Sequence, residues 1–125
     1  KGKVININNR PLTTVQESDG VVHFEFSTLC ESARSQRDYM ELSRLYHTVL
    51  LANVTQMGVD NDDSTRRFIA LVDEFYERHV KLIISAEVAL ESLYLEGRLT
   101  FEFKRCLSRL QEMQSHSYLA SEHLP

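Results

Sequence analysis

Two continuous apolar runs of strand length do most to limit what this chain can fold into. They are Thr48-Val49-Leu50-Leu51-Ala52-Asn53-Val54 and Val80-Lys81-Leu82-Ile83-Ile84-Ser85-Ala86. Neither shows the strict alternation of a strand with one wet face. Runs apolar on both faces suit buried strands of a parallel sheet. Between them, Phe68, Leu71, Val72, Phe75, Tyr76 and His79 recur at the spacing of one helical face. Strand, helix and strand in that order imply a right-handed crossover.

The first 26 residues read as β structure. Val4, Ile5 and Ile7 form a short run, Asn8-Asn9-Arg10-Pro11 is a turn signal, and Leu12 to Glu17 is β-compatible. Ser18-Asp19-Gly20 predicts a hairpin turn, because glycine tolerates positive φ. Beyond it Val22, Phe24 and Phe26 alternate with His23 and Glu25. Ser27 or Thr28 caps a short turn carrying Leu29 and Cys30, and Arg34 to Arg37 reads as a polar loop. Ser35 fits the N-cap of a helix with Asp38 in its first turn and Tyr39, Leu42, Leu45 and Tyr46 along it. Asp62 or Asp63 caps the next helix. Leu90, Leu93 and Tyr94 suggest a further turn or two, broken at Gly97. Thr100 caps a last helix with Phe103, Cys106, Leu107, Leu110 and Met113 on one face. The polar tail, 115–125, is expected to be frayed or a short extra helix. The expectation is an α/β fold: a mixed sheet of about five strands, an N-terminal antiparallel meander and about three main helices. At 125 residues this is one domain or subdomain.

Charge and cysteine content narrow the function. A net charge of −4, with basic residues spread among acids, argues against a nucleic-acid partner. Cys30 and Cys106 are too few for a disulfide scaffold, which favours a reduced, cytoplasmic setting. No apolar run approaches the roughly 18 residues of a membrane span. The chain opens on Lys1 rather than Met and passes at once into a strand-like run, which reads as a segment whose parent begins upstream.

Three constellations bear on chemistry. Phe68-Ile69-Ala70-Leu71-Val72-Asp73-Glu74 looks like a Walker B strand, in which Asp holds magnesium and Glu polarises water. The helical reading is favoured, because the apolar period continues through Phe75, Tyr76 and His79. No G-x-x-x-x-G-K-[ST] loop exists, and Gly2, Gly20, Gly58 and Gly97 are isolated, so nothing within the segment can cradle a triphosphate. Arg66 and Arg67 open the same helix, either as a solvated salt-bridge cluster or as a contact for an anion or a partner's acid. Arg105 and Arg109 lie i,i+4 on one helix face. Glu102 and Glu112 can balance them locally, and a nucleotide phosphate is the sharper alternative. The five histidines, including His23, His116 and His123, show no zinc spacing, so no metal site is expected. No G-x-S-x-G elbow is present.

Several ordered motifs together carry a family resemblance. They are Phe24-Glu25-Phe26-Ser27-Thr28-Leu29-Cys30-Glu31, Asp38-Tyr39, Tyr46-His47-Thr48-Val49-Leu50-Leu51, the run Arg66 to Tyr76, Ser108 to Ser115, and Tyr118-Leu119. In these the chain resembles the ZapE-like, AFG-type AAA+ ATPases over nearly its whole length, more faintly before Val21. The resemblance implies a P-loop ATPase whose Walker A, Walker B and sensor regions precede this segment. ATP and magnesium would then belong to the full-length parent, with no cofactor held by the segment alone. The upstream ATPase core of the same chain would be its partner, and the parent would be a homo-oligomer. Bacterial members of the family associate with the Z-ring and act on FtsZ bundles in the cytoplasm, while mitochondrial relatives serve protein quality control. The segment departs from the family pattern in lacking the catalytic motifs, so it carries no catalytic residue of its own. A sensor or trans-acting arginine is sought in the order Arg109, Arg105, Arg67, with Arg66 as a further candidate. The alternative is a stand-alone protein-interaction module that never needs nucleotide, taking up a partner strand at the Val4–Ile7 edge. A small hydrolase is a third reading and would need a convergent pocket.

Overall fold

The computed structural model describes residues 2–125; Lys1 lies outside the described residues. Strands β1 (Lys3–Ile7) and β2 (Arg10–Thr14) pair antiparallel as a separate two-stranded sheet. Their turn is Asn8-Asn9 alone, with φ of 54° and 67°. Positive φ at both central residues matches the strand twist of a two-residue hairpin. Pro11 therefore lies within β2 rather than in the turn. The expected strand from Leu12 to Glu17 is divided at Val15, where the chain leaves this hairpin for the main sheet.

The main sheet has the order β3-β4-β5-β6, with β3 at Gln16–Ser18, β4 at Val21–Glu25, β5 at Thr48–Val54 and β6 at Lys81–Ala86. The β3–β4 pair is antiparallel and closes on Asp19-Gly20, as the sequence predicts; β4, β5 and β6 are parallel. Gly20 has φ 72°, and an added Cβ would lie 2.4 Å from the His47 ring, so both its conformation and its lack of a side chain are used. The strands thus divide between two sheets within the mixed α/β class.

One expectation fails in its detail. The run Val80–Ala86 reads as a buried strand, yet β6 is an edge strand, with Ile83 56% exposed. Periodicity reports the polarity of the two faces and says nothing of whether a neighbour strand is supplied.

Helices α1 (Phe26–Cys30), α2 (Gln36–Leu45), α3 (Asp62–Glu77), α4 (Thr100–Glu112) and α5 (His116–Ala120) complete the fold, with a 3₁₀ turn at Leu90–Ser92. Ser35 is the N-cap of α2, and its N–H donates to the Asp38 carboxylate at 3.1 Å. Gln36 and Arg37 belong to that helix rather than to a loop. The cap of α3 is Asn61, not Asp62 or Asp63, which occupy the first turn where carboxylates favour the helix dipole. Leu99 caps α4, and Thr100 is its first residue, its hydroxyl donating to the Gly97 carbonyl at 2.8 Å. The tail takes the second of its two expected forms, the short helix α5. His79 leaves the helical face assigned to it, because α3 ends at Glu77 and His79 turns at φ 56°.

The core lies between one face of the main sheet and the helices. Val22, Phe24, Val49 and Leu51 meet Leu29, Phe68, Leu71 and Phe75, all fully buried. Phe68 sits between Phe26 and Phe103, each ring centroid 6.0 Å away. Cys30 and Cys106 are buried free thiols.

Candidate functional site

The apolar seam of α4, Phe103, Cys106, Leu110 and Met113, faces the core. That seam turns Lys104, Arg105, Ser108 and Arg109 outward along the side nearest α3. With Tyr76 of α3 and Glu112 they line a shallow depression of about 510 Å³. Arg109 is fixed there. Its guanidinium makes a hydrogen-bonded ion pair with Asp73 of α3 and lies 5.2 Å from the centroid of the Tyr76 ring, in cation–π range. The Tyr76 hydroxyl in turn donates to Glu112 at 2.8 Å, which raises the tyrosine pKa, chiefly through that hydrogen bond.

The acids that sequence spacing offers to the α4 arginines, Glu102 and Glu112, are not their partners. The counter-ion of Arg109 comes from another helix, and Glu112 is engaged by Tyr76. Spacing along one helix cannot report a contact between two. Asp73 and Tyr76 are therefore site residues that sequence reasoning missed in this role; their signal is i,i+3 spacing on the α3 face turned to α4. Arg105, one turn before Arg109, is exposed and makes no ion pair or hydrogen bond among the described residues.

The four candidate arginines do not converge. Arg105 and Arg109 share the depression. Arg66 is exposed in a neighbouring cleft between α3 and α4 that also contains Asp73, Leu99 and Glu102. Arg67 points the other way. Its Nε donates to the Arg34 carbonyl at 3.2 Å and its Nη1 to the Cys30 carbonyl at 3.3 Å, bracing the chain after α1. The Walker B-like run lies inside α3, so Asp73 and Glu74 do not end a strand.

A family model described as AFG1-like ATPase matches residues 1–122. The chain belongs to the AFG1-like ATPase family. Among curated proteins, this AFG1-like chain is 58% identical over 120 residues to the cell division protein ZapE of Escherichia coli strain K12. That match covers 96% of the chain and 32% of ZapE. It is 28% identical over 145 residues to an uncharacterized protein of Schizosaccharomyces pombe, covering 94% of the chain and 32% of the relative. It is 27% identical over 151 residues to lactation elevated protein 1 homolog B of Danio rerio, covering 95% and 30%. The AFG1-like chain thus spans about a third of the length of these relatives. No solved structure matches it.

The N-terminal end of α3 is a poor cradle for a phosphate chain. The first turn of α3 carries Asp62 and Asp63, which repel a phosphate. Just before it, the Gly58 N–H is committed to Asn61 Oδ1 at 3.1 Å. Among the described residues no group of three or more His, Cys, Asp or Glu could hold a metal ion, and no helix is long and apolar enough to cross a membrane. What the arrangement offers is a cationic helix face, with one guanidinium anchored and one without a partner among the described residues.

Proposed function

We propose that this chain is the C-terminal segment of a ZapE-like cell-division ATPase, contributing packing, subunit contacts and an arginine to hydrolysis of ATP housed elsewhere. The observation that carries the reading is 58% identity to ZapE across 96% of the chain. In this reading ATP and magnesium are held by an upstream core of the same polypeptide. The protein acts in the cytoplasm as a homo-oligomer, and FtsZ in the Z-ring is its partner. The α4 face supports the arginine role, because Arg109 is pre-oriented by Asp73 and Tyr76 and Arg105 is free to reach an anion.

The test is made in the full-length protein. Arg109→Ala is expected to lower ATP turnover by roughly three orders of magnitude or more, the scale of a lost arginine finger, with nucleotide affinity largely unchanged. Asp73→Asn separates the alternatives. If Arg109 only braces α3 against α4, the Asp73 variant reproduces the loss. If the guanidinium acts on the nucleotide, Asp73→Asn costs less turnover than Arg109→Ala, because the amide oxygen still accepts from Arg109 and orients it. Unchanged turnover in Arg109→Ala removes Arg109 from the role and passes it to Arg105, tested the same way. The interaction-module reading rests on the outer edge of β1, where Val4 is 62% exposed. Full-length protein that binds no ATP would favour it.

A further inference from the structure

The parallel part of the sheet is covered on one face only, and topology explains why. From β4 to β5 to β6 the strand order advances in a single direction. Right-handed crossovers taken in one direction put every connecting helix on the same side of a sheet. The opposite face carries Val21, His23 and Glu25 of β4, Thr48, Leu50 and Ala52 of β5, and Lys81, Ile83 and Ser85 of β6. None of these is buried. His23, Leu50 and Ile83 are direct cross-strand neighbours, so their side chains make a row across the middle of that face. The row borders a depression of about 240 Å³ whose wall is largely apolar. Glu25 and Lys81 flank it at opposite corners.

A parallel sheet with a bare face is out of keeping with its class, since such sheets occur almost only with both faces covered. The chain spans 32% of the length of ZapE, so a protein of that size has ample polypeptide outside these residues to act as a cover. We propose that the His23–Leu50–Ile83 face docks an amphipathic helix from the part of a ZapE-length protein that this chain does not span. The helix lays an apolar stripe along the row, with an acid near Lys81 and a base near Glu25. This rests on the reading that the chain is a segment of such a protein.

The test is thiol labelling in the full-length protein, with Ile83→Cys and, as a second site, Lys81→Cys. Peptide mapping by mass spectrometry reads each position separately, and the native Cys30 and Cys106 are buried. The control is Val4→Cys, an exposed site away from the sheet face. Maleimide is expected to modify positions 83 and 81 at least tenfold more slowly than position 4 in the purified monomer. Labelling at the control rate overturns the docking. Slow labelling that becomes fast when an oligomer is diluted to monomer assigns the cover to a second copy and also overturns it. ATP turnover of the same samples reports on the ATPase reading separately, so fast labelling with turnover intact sinks the docked helix alone.

Discussion

Tyr118 shows how one side chain pins the polypeptide that follows α4. Its hydroxyl donates to the Val80 carbonyl at 2.8 Å and lies 3.2 Å from that of Phe75, two oxygens flanking the end of α3. The last carbonyls of a helix have no partner within it and need one from outside. The ring stacks on Tyr76 at 6.0 Å and tilts against His79 at 5.7 Å, across the residue whose positive φ starts the approach to β6. The following residues are held too, through Leu124 N to the Arg78 carbonyl at 2.9 Å and the His123 ring to the Ser43 carbonyl at 2.6 Å. Tyr118→Phe keeps the packing and deletes the donor. It should lower unfolding stability by about 1–2 kcal/mol, the cost of a buried carbonyl left short of a partner. Urea denaturation measures this, and a midpoint equal to the parent's would show that the ring alone holds the tail.

At the scale of elements, α3 organises the molecule. It carries Phe68, Leu71, Val72 and Phe75 into the core and presents Asp73 and Tyr76 to α4. Phe68 touches aromatic rings from α1 and α4 at once, so Phe68→Ala opens a cavity that no single neighbour can fill. A loss of about 3–5 kcal/mol is expected by denaturant unfolding, a large share of the stability of a domain of this size. A loss under 1 kcal/mol would mean the three helices repack without it. The same helix shows what the sequence reveals and what it conceals. The apolar period from Phe68 to Tyr76 separates helix from Walker B strand correctly, because periodicity is local. The Asp19-Gly20 hairpin is legible for the same reason: one residue's φ decides it. The edge position of β6, the split at Val15 and the Asp73 partner of Arg109 depend on which elements meet, and no short window of sequence encodes that. The arginines are legible as residues, but not their division into one anchored, one free, one in a separate cleft and one turned inward.

Over the whole molecule, the protons held in the core predict how the fold fails in alkali. Burial pushes up the pKa of both thiols, Cys30 and Cys106, and of three tyrosines in separate parts of the structure. Tyr39 donates to the Leu29 carbonyl at 2.7 Å between α1 and α2. Tyr46, after α2, is pushed up to about 12, by burial first and then by the nearby Glu17 carboxylate. Tyr118 closes the end of α3. Each group is neutral when protonated, so a raised pKa means that the folded chain keeps a proton which the unfolded chain has released. Stability then falls as pH rises, because the unfolded state binds fewer protons in that range. These contributions are complete below the ordinary values of 9.0 for the thiols and 10.0 for the tyrosines, and are lost progressively above them. Thermal unfolding should therefore be nearly flat from pH 7 to 8, start to fall near pH 9 and fall more steeply between 10 and 12. Cys106→Ala should blunt the early fall while leaving the steep one, since it removes a thiol and no tyrosine. A melting temperature that holds steady to pH 11 would mean that the interior admits the charged forms at little cost. The packing of the helices against the sheet would then be looser than these buried hydroxyls require.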